Sequence, residues 1–479
     1  MNDKQDFKEK TLGMTEGITG FNLCTYLMGL EGWRRGLSLT YYNKIDERID
    51  FGPKKLNYFG RLYSLSSKNK THYFFQSRGD TTTREAVSIA REKESTKEFL
   101  KKKNLPIIDG ESFSKEVKND EIKLKAQKIG YPLIVKPSNG SLSKGVIIDI
   151  QNEEELDQAL KEVRENLGYK SVIVEKYFQG EDIRMYVIED EVVAAIKRIP
   201  ASVTGDGIHT IEQLISLKNK SREHNPYLKA RPIKINKETK SVLKKQNLSL
   251  NYVLEKDNTI LVKKKSTLTQ GVDLEDITDS IPEGFKRIAI ESIKAIPGLK
   301  HASIDMLSND KEVRILEVNS SANISMHLFP TIGKSRNVPA AIVDYYFPET
   351  IKNRYNNQQM NFNYSHLLKT LKENYTDYIT LRSIKEEEMK PRKYLITGEN
   401  FSVKILNFIV KKALSRRVNG HVKLVNKNEI ELVCATYKSE EIDWLKRQIK
   451  KYNKSKVKVN SLNSKFYHGV VNIGFTKSL

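Results

Sequence analysis

Hydrophobic and polar positions divide the chain into stretches of different character. Up to about residue 80 the pattern is weak, although Phe21–Leu30 predicts an amphipathic helix and Lys70–Gln76 a strand. From Thr81 to about residue 350, helix and strand signals alternate. We therefore predict a small N-terminal domain over residues 1–80 and a larger domain over residues 81–350.

The larger domain alternates short apolar runs with amphipathic stretches, which is typical of a mixed α+β or α/β enzyme domain. Thr81-Thr82-Thr83 can cap a helix that runs through Glu85–Arg91 towards Leu100, and Asn104-Leu105-Pro106 ends it. The other predicted elements are strands at Tyr131–Lys136, Val146–Ile150 and Ser171–Lys176, a helix at Asn152–Leu167, and hairpins of Arg184–Ile188 with Val192–Ile199 and of His301–Leu307 with Val313–Val318.

The end of the chain has a clearer pattern. Residues 351–390 are polar and predict a helical linker. Residues 391–479 then follow the order β-α-β-β-α-β, which is typical of a ferredoxin-like domain. Its predicted elements are Lys393–Thr397, Phe401–Arg416, Gly420–Val425, Glu429–Ala435, Ser439–Tyr452 and Val470–Phe475.

Composition narrows the function classes only a little. The two cysteines, Cys24 and Cys434, are too few for a disulfide framework or a zinc site, and they favour a reducing compartment. The polar N-terminus lacks the apolar core of a signal peptide, and no apolar stretch is long enough for a membrane span. We therefore expect a cytoplasmic protein.

The net charge of +22 admits nucleic acid, an anionic polymer or an acidic membrane surface as partners, while the ordinary alternative is a set of solvated lysines. Residues 391–479 hold 19 lysines and arginines against 6 acidic residues, which leaves a net charge of +13. More than half of the net charge of the chain therefore lies in its last fifth.

A candidate phosphate-binding loop follows the strand that ends at Lys136. Its sequence, KPSNGSLSKGV, includes Ser138, Gly140 and Gly145. Backbone N–H groups of such a loop can bind phosphate oxygens, and a lysine fixed by a strand adds a cation. It is not the P-loop pattern, and an ordinary surface turn is the alternative.

A candidate metal site lies in the last predicted hairpin of the larger domain. Glu317 and Asn319 are two residues apart on one strand and so project from the same face, while Asp305 ends the partner strand. Three oxygen donors of this kind suit Mg²⁺. The alternative is a half-exposed strand with polar residues facing water.

Two further segments carry candidate chemistry. At Glu175–Asp182 a strand ends and the chain crosses over, which exposes backbone groups that can bind an adenine edge. Arg184, Lys197 and Arg198 lie on the predicted hairpin that follows, and arginine is suited to binding carboxylate or phosphate. Solvated charges are the alternative for both segments.

The order of these pieces resembles that of ATP-grasp enzymes. Residues 80–350 are similar to the ATP-grasp half of cyanophycin synthetase and to the C-terminal part of bifunctional glutathione synthetase. The segment Pro200–Ile215 (PASVTGDGIHTIEQLI) is far more specific than a glycine-rich loop. Other matching segments are AVSIAREKESTK, KPSNGSLSKGV, VEKYFQGEDIR, TLTQGVDLEDITD and LEVNSSANISMHLFPTIGKSRNV.

The resemblance implies ATP and Mg²⁺ as cofactors, with Mn²⁺ as a substitute, and it implies a role for each matching residue. The phosphates would contact Lys93, Lys136, Ser138, Gly140 and Gly145. Adenine would contact Glu175, Lys176 and the backbone near Tyr177, and the ribose would contact Asp182. Catalytic contacts at the γ-phosphate and acyl phosphate would come from Arg184, Arg198 and Lys136, and the metal ligands would be Asp305, Glu317 and Asn319. His209 would be structural, and His327 would be structural or face the substrate.

The implied activity is ATP-dependent ligation of a carboxylate to an amine through an acyl phosphate, on amino acid or peptide substrates. A homo-oligomer is expected. Ser143 stands where the family often has glycine. The segment Ala322-Asn323-Ile324-Ser325 lacks the arginine typical of cyanophycin synthetase, which leaves the substrate open. The alternatives are a catalytically idle ATP-binding scaffold or regulatory protein and a nucleic-acid-binding protein that uses the basic end.

Residues 391–479 resemble acylphosphatase around Phe408 and Gly420-His421-Val422. The family's catalytic arginine and asparagine fall on Leu406 and Leu424, which cannot form hydrogen bonds through their side chains. We therefore predict a domain that does not hydrolyse acyl phosphates. It would either bind an acidic substrate, an anionic polymer or a partner, or serve as a structural appendage.

Overall fold

The computed structural model describes residues 14–44, 59–138, 145–264, 266, 268–309, 312–385, 388–452, 458–461 and 467–478. Contacts divide the described residues into two compact units. The first unit holds those of residues 1–77 and 339–479, and the second holds those of residues 78–338. The second unit therefore ends earlier than the predicted domain 81–350.

The first unit contains the predicted N-terminal helix, but the helix is not amphipathic. It spans Gly20–Arg34, and every residue from Leu23 to Arg34 is buried. Its polar residues are paired inside the unit: Arg35, just after the helix, contacts Glu31 at 2.6 Å and Asp344 at 2.5 Å. A helix buried all round needs such partners, which the local pattern could not reveal.

The segment expected to be a linker has regular structure instead. Tyr364–Lys372 is a helix, and Tyr378–Leu381 is a strand that pairs antiparallel with Ser38–Tyr42. The pairing continues to Leu62–Ser66 and Thr71–Phe75, so residues distant in sequence share one sheet. A four-residue strand with charged flanks gives a weak periodic signal, and its partner lies more than 300 residues away. The first unit also contains the helix Val338–Tyr346 from its second residue onward, the 3₁₀ segment Pro348–Asn353 and the strand Met360–Asn361.

The final part of the first unit has the predicted order of its first five elements, but its last strand was predicted wrongly. Lys458–Ser461 pairs with Arg392–Thr397, whereas Val471–Asn472 pairs with Met360–Asn361. Phe475–Ser478 lies parallel to Asn419–Asn426 at the other edge. The resulting sheet has, in order, Lys458–Ser461, Arg392–Thr397, Glu429–Ala435, Asn419–Asn426 and Phe475–Ser478, with helices Val403–Ser415 and Ser439–Lys450.

The second unit contains two sheets that matter for the candidate site. The small sheet has four strands, in the order Gly110–Phe113, Val172–Lys176, Leu133–Pro137 and Ile147–Ile150. Its apolar side packs against helices Asn119–Ile129 and Glu153–Lys161, with Leu133, Val135, Leu156 and Val174 fully buried. The side chain of Asn152 caps the second helix by accepting a hydrogen bond from the Glu155 N–H at 2.9 Å.

The central sheet has five antiparallel strands, in the order Asp273–Asp276, Glu191–Ile199, Glu181–Ile188, His301–Ser308 and Val313–Asn319. One face is apolar, with Met185, Ala302, Ile304 and Met306 packed against the helices Arg84–Arg91 and Glu283–Lys294. Side chains alternate along a strand, so Arg184, Ser303 and Asp305 project from the other face. Both predicted hairpins are therefore present, side by side.

The helix predicted from Glu85 towards Leu100 is two helices. Arg84–Arg91 is capped by Thr83, whose hydroxyl accepts from the Ala86 N–H at 3.1 Å, and Lys93–Lys102 begins after an extended Glu92. The Thr96 hydroxyl donates to the Ile89 carbonyl at 2.7 Å across this break.

The remaining elements of the unit are Arg78–Gly79, the turn Glu162–Asn166, Ser202–Thr204, Ile211–Arg222, Lys237–Lys245, Thr259–Leu261, Leu268–Gln270 and Ser325–Leu328. Within the described residues, no helix is long and apolar enough to cross a membrane.

Candidate nucleotide and metal site

Lys136 and Glu175 form the first part of the site. They lie on neighbouring antiparallel strands of the small sheet, and the Lys136 ammonium donates a hydrogen bond to the Glu175 carboxylate. Burial opposes the charged form of both groups and lowers the pKa of Lys136. For Glu175 the effect of burial is outweighed by Lys136 and Lys97, so the pKa of this carboxyl is lowered. A lysine fixed in this way can present positive charge to a phosphate.

Lys97 is a member of this cluster that the sequence interpretation missed. Its Nζ lies 2.7 Å from Glu175 Oε1, so one carboxylate pairs with two lysines. Lys93, the predicted phosphate ligand, lies one helical turn earlier and is close enough to lower the pKa of Lys136. The spacing of four residues between Lys93 and Lys97 on one helix is a signal that could have identified Lys97.

The crossover after Glu175 is held by hydrogen bonds within the protein. The Lys176 N–H donates to the Asp109 carbonyl at 2.8 Å, and the Tyr177 N–H donates to the Pro132 carbonyl at 2.9 Å. The Lys176 ammonium donates to the Gly130 and Tyr131 carbonyls at 3.0 and 2.6 Å. The N–H groups of both residues therefore shape the crossover, and their predicted contact with adenine stays a prediction.

The predicted metal hairpin brings its three oxygen donors to one place. Asp305 faces Glu317 across the two strands, and Ser303 faces Asn319. Burial raises the pKa of Glu317, and the neighbouring charge of Asp305 raises it further. A cation bound between these two buried carboxylates would relieve their mutual repulsion.

Arg184 and Arg198 surround Asp305. Arg184 donates to both carboxylate oxygens of Asp305, at 2.5 and 2.6 Å, and Arg198 Nη2 lies 3.3 Å from Oδ2. Burial opposes the ionised form of Asp305, but the two guanidinium groups outweigh it and lower the pKa of this carboxyl. The structure thus joins the predicted arginine pair directly to the predicted metal hairpin.

Asp182, predicted to contact the ribose, is engaged by two protein groups. The Arg198 guanidinium donates to Oδ1, with Nε at 2.9 Å, and the Ser266 hydroxyl donates to Oδ2 at 2.5 Å. Ser266 was not expected here from sequence, because the two residues lie 84 positions apart and no local signal relates them. Lys197, by contrast, pairs with the outer carboxylates Glu181 and Glu275, at 3.2 and 3.1 Å.

The phosphate loop is described only at its ends. Gly140 and Ser143 lie outside the described residues, so their predicted roles stay predictions. The Ser138 N–H donates to the Ser171 carbonyl at 3.1 Å. Gly145 has a φ of +70°, and a Cβ there would lie 2.8 Å from Pro137, so the loop returns to the sheet at a position that favours glycine.

His209 and His327 have different surroundings. His209 Nδ1 lies 2.6 Å from Asp206 Oδ2, and the Asp206 carboxylate also accepts from the Ile208 and His209 N–H groups. These contacts form a turn before the helix Ile211–Arg222. His327 is completely buried. Burial and the positive charge of Arg184 lower the pKa of His327 to about 3, and the negative charge of Asp305 opposes this shift.

More than half of the chain is similar in sequence to known proteins. Residues 99–255 match the family model described as the D-ala D-ala ligase C-terminus. The chain is 34% identical to cyanophycin synthetase of Crocosphaera subtropica over 279 residues, which cover 55% of this chain and 31% of that protein. It is 30% identical to the glutathione biosynthesis bifunctional protein of Enterococcus faecalis over 280 residues, which cover 55% of this chain and 36% of that protein.

The predicted similarity to ATP-grasp ligases is confirmed. The segment that matches the family model, residues 99–255, includes the small sheet, the crossover and both arginines. It ends before the hairpin of Asp305 and Glu317. The chain spans about a third of the length of these curated relatives. A solved bifunctional glutathione synthetase from Pasteurella multocida is 24% identical, with a TM-score of 0.49, over 60% of this chain and 41% of that one.

Proposed function

We propose that the protein is an ATP-dependent carboxylate–amine ligase that forms an amide or peptide bond through an acyl phosphate. The observation that carries this proposal is that two clusters of paired charged residues lie in the same unit. Lys136 and Lys97 meet at Glu175 on the small sheet, and Arg184 and Arg198 meet at Asp305 on the central sheet. The positive charge of Lys93 acts to lower the pKa of both Lys136 and Glu317, one member of each proposed part of the site.

The chain's own residues fit a divalent cation and nucleotide phosphates. Asp305, Glu317 and Asn319 supply oxygen ligands, which Mg²⁺ prefers, and Mg²⁺ would neutralise phosphate charge there. Within the described residues there is no group of three or more His, Cys, Asp and Glu side chains that could hold a metal. We propose that two carboxylates and an amide act in this site together with phosphate oxygens.

The residues of the site would act by binding and charge stabilisation. A substrate carboxylate oxygen attacks the γ-phosphorus, the bond to the bridging oxygen breaks, and ADP leaves with the electron pair. Arg198 and Arg184 would stabilise the charge that spreads over the transferring phosphoryl group, and Lys136 would hold the phosphates in line. An amine then forms the C–N bond, phosphate leaves with the electron pair of the C–O bond, and the nitrogen sheds its proton to the departing phosphate.

The substrates are proposed at the level of class. We propose amino acid or peptide carboxylates and amines, because the similar proteins are named for cyanophycin, glutathione and D-alanine ligation. Purified protein with ATP and Mg²⁺ should release phosphate only with a suitable acid and amine pair, and mass spectrometry should show the condensed product. ATP binding without turnover across amino acid and dipeptide pairs would instead support the idle scaffold.

We further propose that the basic residues 391–479 bind an acidic substrate or polymer. Lys404, Lys411 and Lys423 are exposed there, and attraction to them is screened over about 8 Å at physiological salt. Changing all three to Gln should raise the KM for an acidic substrate at low salt and leave kcat unchanged. The matched control changes the exposed Lys115, Lys118 and Lys128 of the second unit, and equal effects of the two triple variants would contradict the proposal.

The expected homo-oligomer also remains a proposal. Light scattering of the purified chain measures its mass in solution and tests it directly, and a monomer at working concentration would contradict it.

A further inference from the structure

The helix Val403–Ser415 lies in a segment with a strong excess of positive charge. Residues 400–428, which include this helix, contain seven lysines and arginines and no aspartate or glutamate. Among the described residues, Arg416 is the one of these seven that makes an ion pair, with Glu441 at 3.7 Å. The positive charge of this segment is therefore largely uncompensated within the described part of its unit.

Lys404 and Lys411 lie on the exposed side of the helix, whereas Ile405, Leu406, Ile409 and Ala413 are buried. The two lysines are seven residues apart, so they lie on one line along the helix, about 10 Å from each other along its axis. Lys477 of the last strand adds a third cation near them, because its Nζ donates to Asn407 Oδ1 at 2.5 Å. This side of the helix can therefore attract several negative charges at once.

Aromatic rings hold further cations beside these lysines. Lys412 Nζ lies 5.6 Å from the centre of the Phe408 ring and 5.8 Å from that of Trp444. The Arg416 guanidinium lies 4.7 Å from the centre of the Trp444 ring. Both rings are partly buried against the core of the last sheet. The cations thus occupy the ring faces, which favours recognition by charge over stacking of a flat ligand.

Two apolar side chains are exposed along the same helix. Val403 is 40% exposed and Leu414 is 50% exposed. They are eleven residues apart, which is three helical turns, so they form a line next to that of Lys404 and Lys411. We call Val403, Lys404, Lys411 and Leu414 the basic–apolar face. A partner that matches it carries apolar groups as well as negative charge.

We propose that the basic–apolar face binds an acidic peptide segment with apolar side chains between its carboxylates. This inference rests on the binding role proposed above for residues 391–479 and narrows it to one helix face and one class of partner. The carboxylates would pair with Lys404 and Lys411, and the apolar side chains would cover Val403 and Leu414. A nucleic acid backbone offers no apolar groups for that purpose, and an acidic bilayer requires a wider apolar face.

Fluorescence anisotropy of a labelled peptide, measured with the whole chain, tests this inference. The probe alternates two glutamates with two leucines over about eight residues, which in extended form span the helix. At low salt, the double change Lys404→Gln and Lys411→Gln should raise the Kd by about fivefold. The double change Val403→Thr and Leu414→Gln should raise it by about three- to tenfold.

Salt separates the two contributions. At about 1 M sodium chloride, where the Debye length is about 3 Å, the loss caused by the lysine changes should disappear. The loss caused by the apolar changes should remain, because burial of apolar surface does not depend on charge.

Matched controls carry the same changes at other exposed positions. Lys438→Gln with Lys450→Gln removes the same charge at the two ends of the neighbouring helix Ser439–Lys450. Leu124→Gln with Leu217→Gln removes exposed leucines of the second unit, which are 63% and 48% exposed. Both control proteins should keep the wild-type Kd within about twofold.

The outcomes separate this inference from the broader binding role. Equal losses in the lysine variant and its control would show that only the overall charge matters, which overturns the inference and leaves the binding role. A Kd unchanged by the Val403 and Leu414 changes would also overturn it, as would tighter binding of a single-stranded RNA or of phosphatidylserine vesicles than of the peptide. If the wild-type chain binds no peptide at low salt, the inference fails together with the binding role, whereas the ligase proposal is tested separately by phosphate release.

Discussion

Arg184 and Asp305 face each other in register on neighbouring strands, and the guanidinium donates to both carboxylate oxygens at 2.5 and 2.6 Å. This contact keeps Asp305 ionised although the residue is only 5% exposed, since its pKa lies below the ordinary value. An ionised carboxylate is the form that a metal requires. The arginine therefore keeps the proposed metal ligand in its charged form.

Lys136→Ala should abolish most of the ATP-dependent activity. The change removes a cation fixed by the small sheet, and losing one such preorganised charge typically costs about 10²–10³ in kcat. Glu175 would keep Lys97 as a partner, so the fold should survive. Phosphate release with the best substrate pair measures the effect. Lys123→Ala, on a helix outside the site, is the control, and near-normal turnover of a folded Lys136→Ala protein would refute the assignment.

Glu317→Gln should raise the Mg²⁺ concentration needed for half-maximal activity. Glutamine keeps the size of the side chain but removes an anionic ligand, and it also relieves the repulsion from Asp305. A titration of activity against Mg²⁺ at fixed ATP measures this shift. Glu312→Gln removes an exposed carboxylate near the start of the same strand and should not change the curve. Identical curves for all three proteins would show that Glu317 is only a strand residue.

His301 should make the second unit less stable as the pH falls. Burial lowers the pKa of His301 to about 4 in the folded state, from an ordinary value of 6.5. Protonation between these values favours the unfolded chain, so the free energy of unfolding should fall by about 1.4 kcal/mol per pH unit as pH drops from 6.5 to 4.

The variant His301→Gln isolates this contribution. Glutamine keeps a polar partner for Tyr186 and does not titrate, while His327 has the same effect in both proteins and cancels. Denaturant unfolding of both proteins at pH 7, 6, 5 and 4 should show a difference in free energy that changes only below about pH 6.5. Parallel pH profiles would contradict the buried state of His301.

The protein should not hydrolyse acetyl phosphate through residues 391–479. Leu406 is completely buried in the core of that sheet and Leu424 packs against the same core, so neither position offers a group to phosphate or water. Hydrolysis is best measured in a Lys136→Ala background, which removes the proposed ligase activity. The domain should not be tested alone, because its strand Val471–Asn472 pairs with Met360–Asn361. Hydrolysis clearly above the uncatalysed rate would overturn the prediction.

The candidate site was predictable in sequence wherever a short pattern carried the chemistry. Glu317 and Asn319 alternate on one strand, and Arg184 and Arg198 lie on a hairpin whose turn is local, so their faces follow from periodicity. The contact of Ser266 with Asp182 was not predictable, since the two residues meet only when distant segments pack. Lys97 is an intermediate case, because its helical spacing from Lys93 was visible but its carboxylate partner was not.

By itself, the sequence determined the alternation of helices and strands in the second unit and its two hairpins, because these depend on local periodicity. It also determined the similarity of residues 80–350 to ATP-grasp enzymes, because that similarity lies in contiguous motifs. Only the tertiary structure decided that residues 23–34 of the first helix are all buried, that Tyr378–Leu381 completes a sheet with Ser38–Tyr42, and that Lys458–Ser461 forms an edge strand of the last sheet. Strand pairing and burial depend on which surfaces meet across hundreds of residues. Short polar strands carry too little local pattern to specify a partner, so the packed core makes that choice.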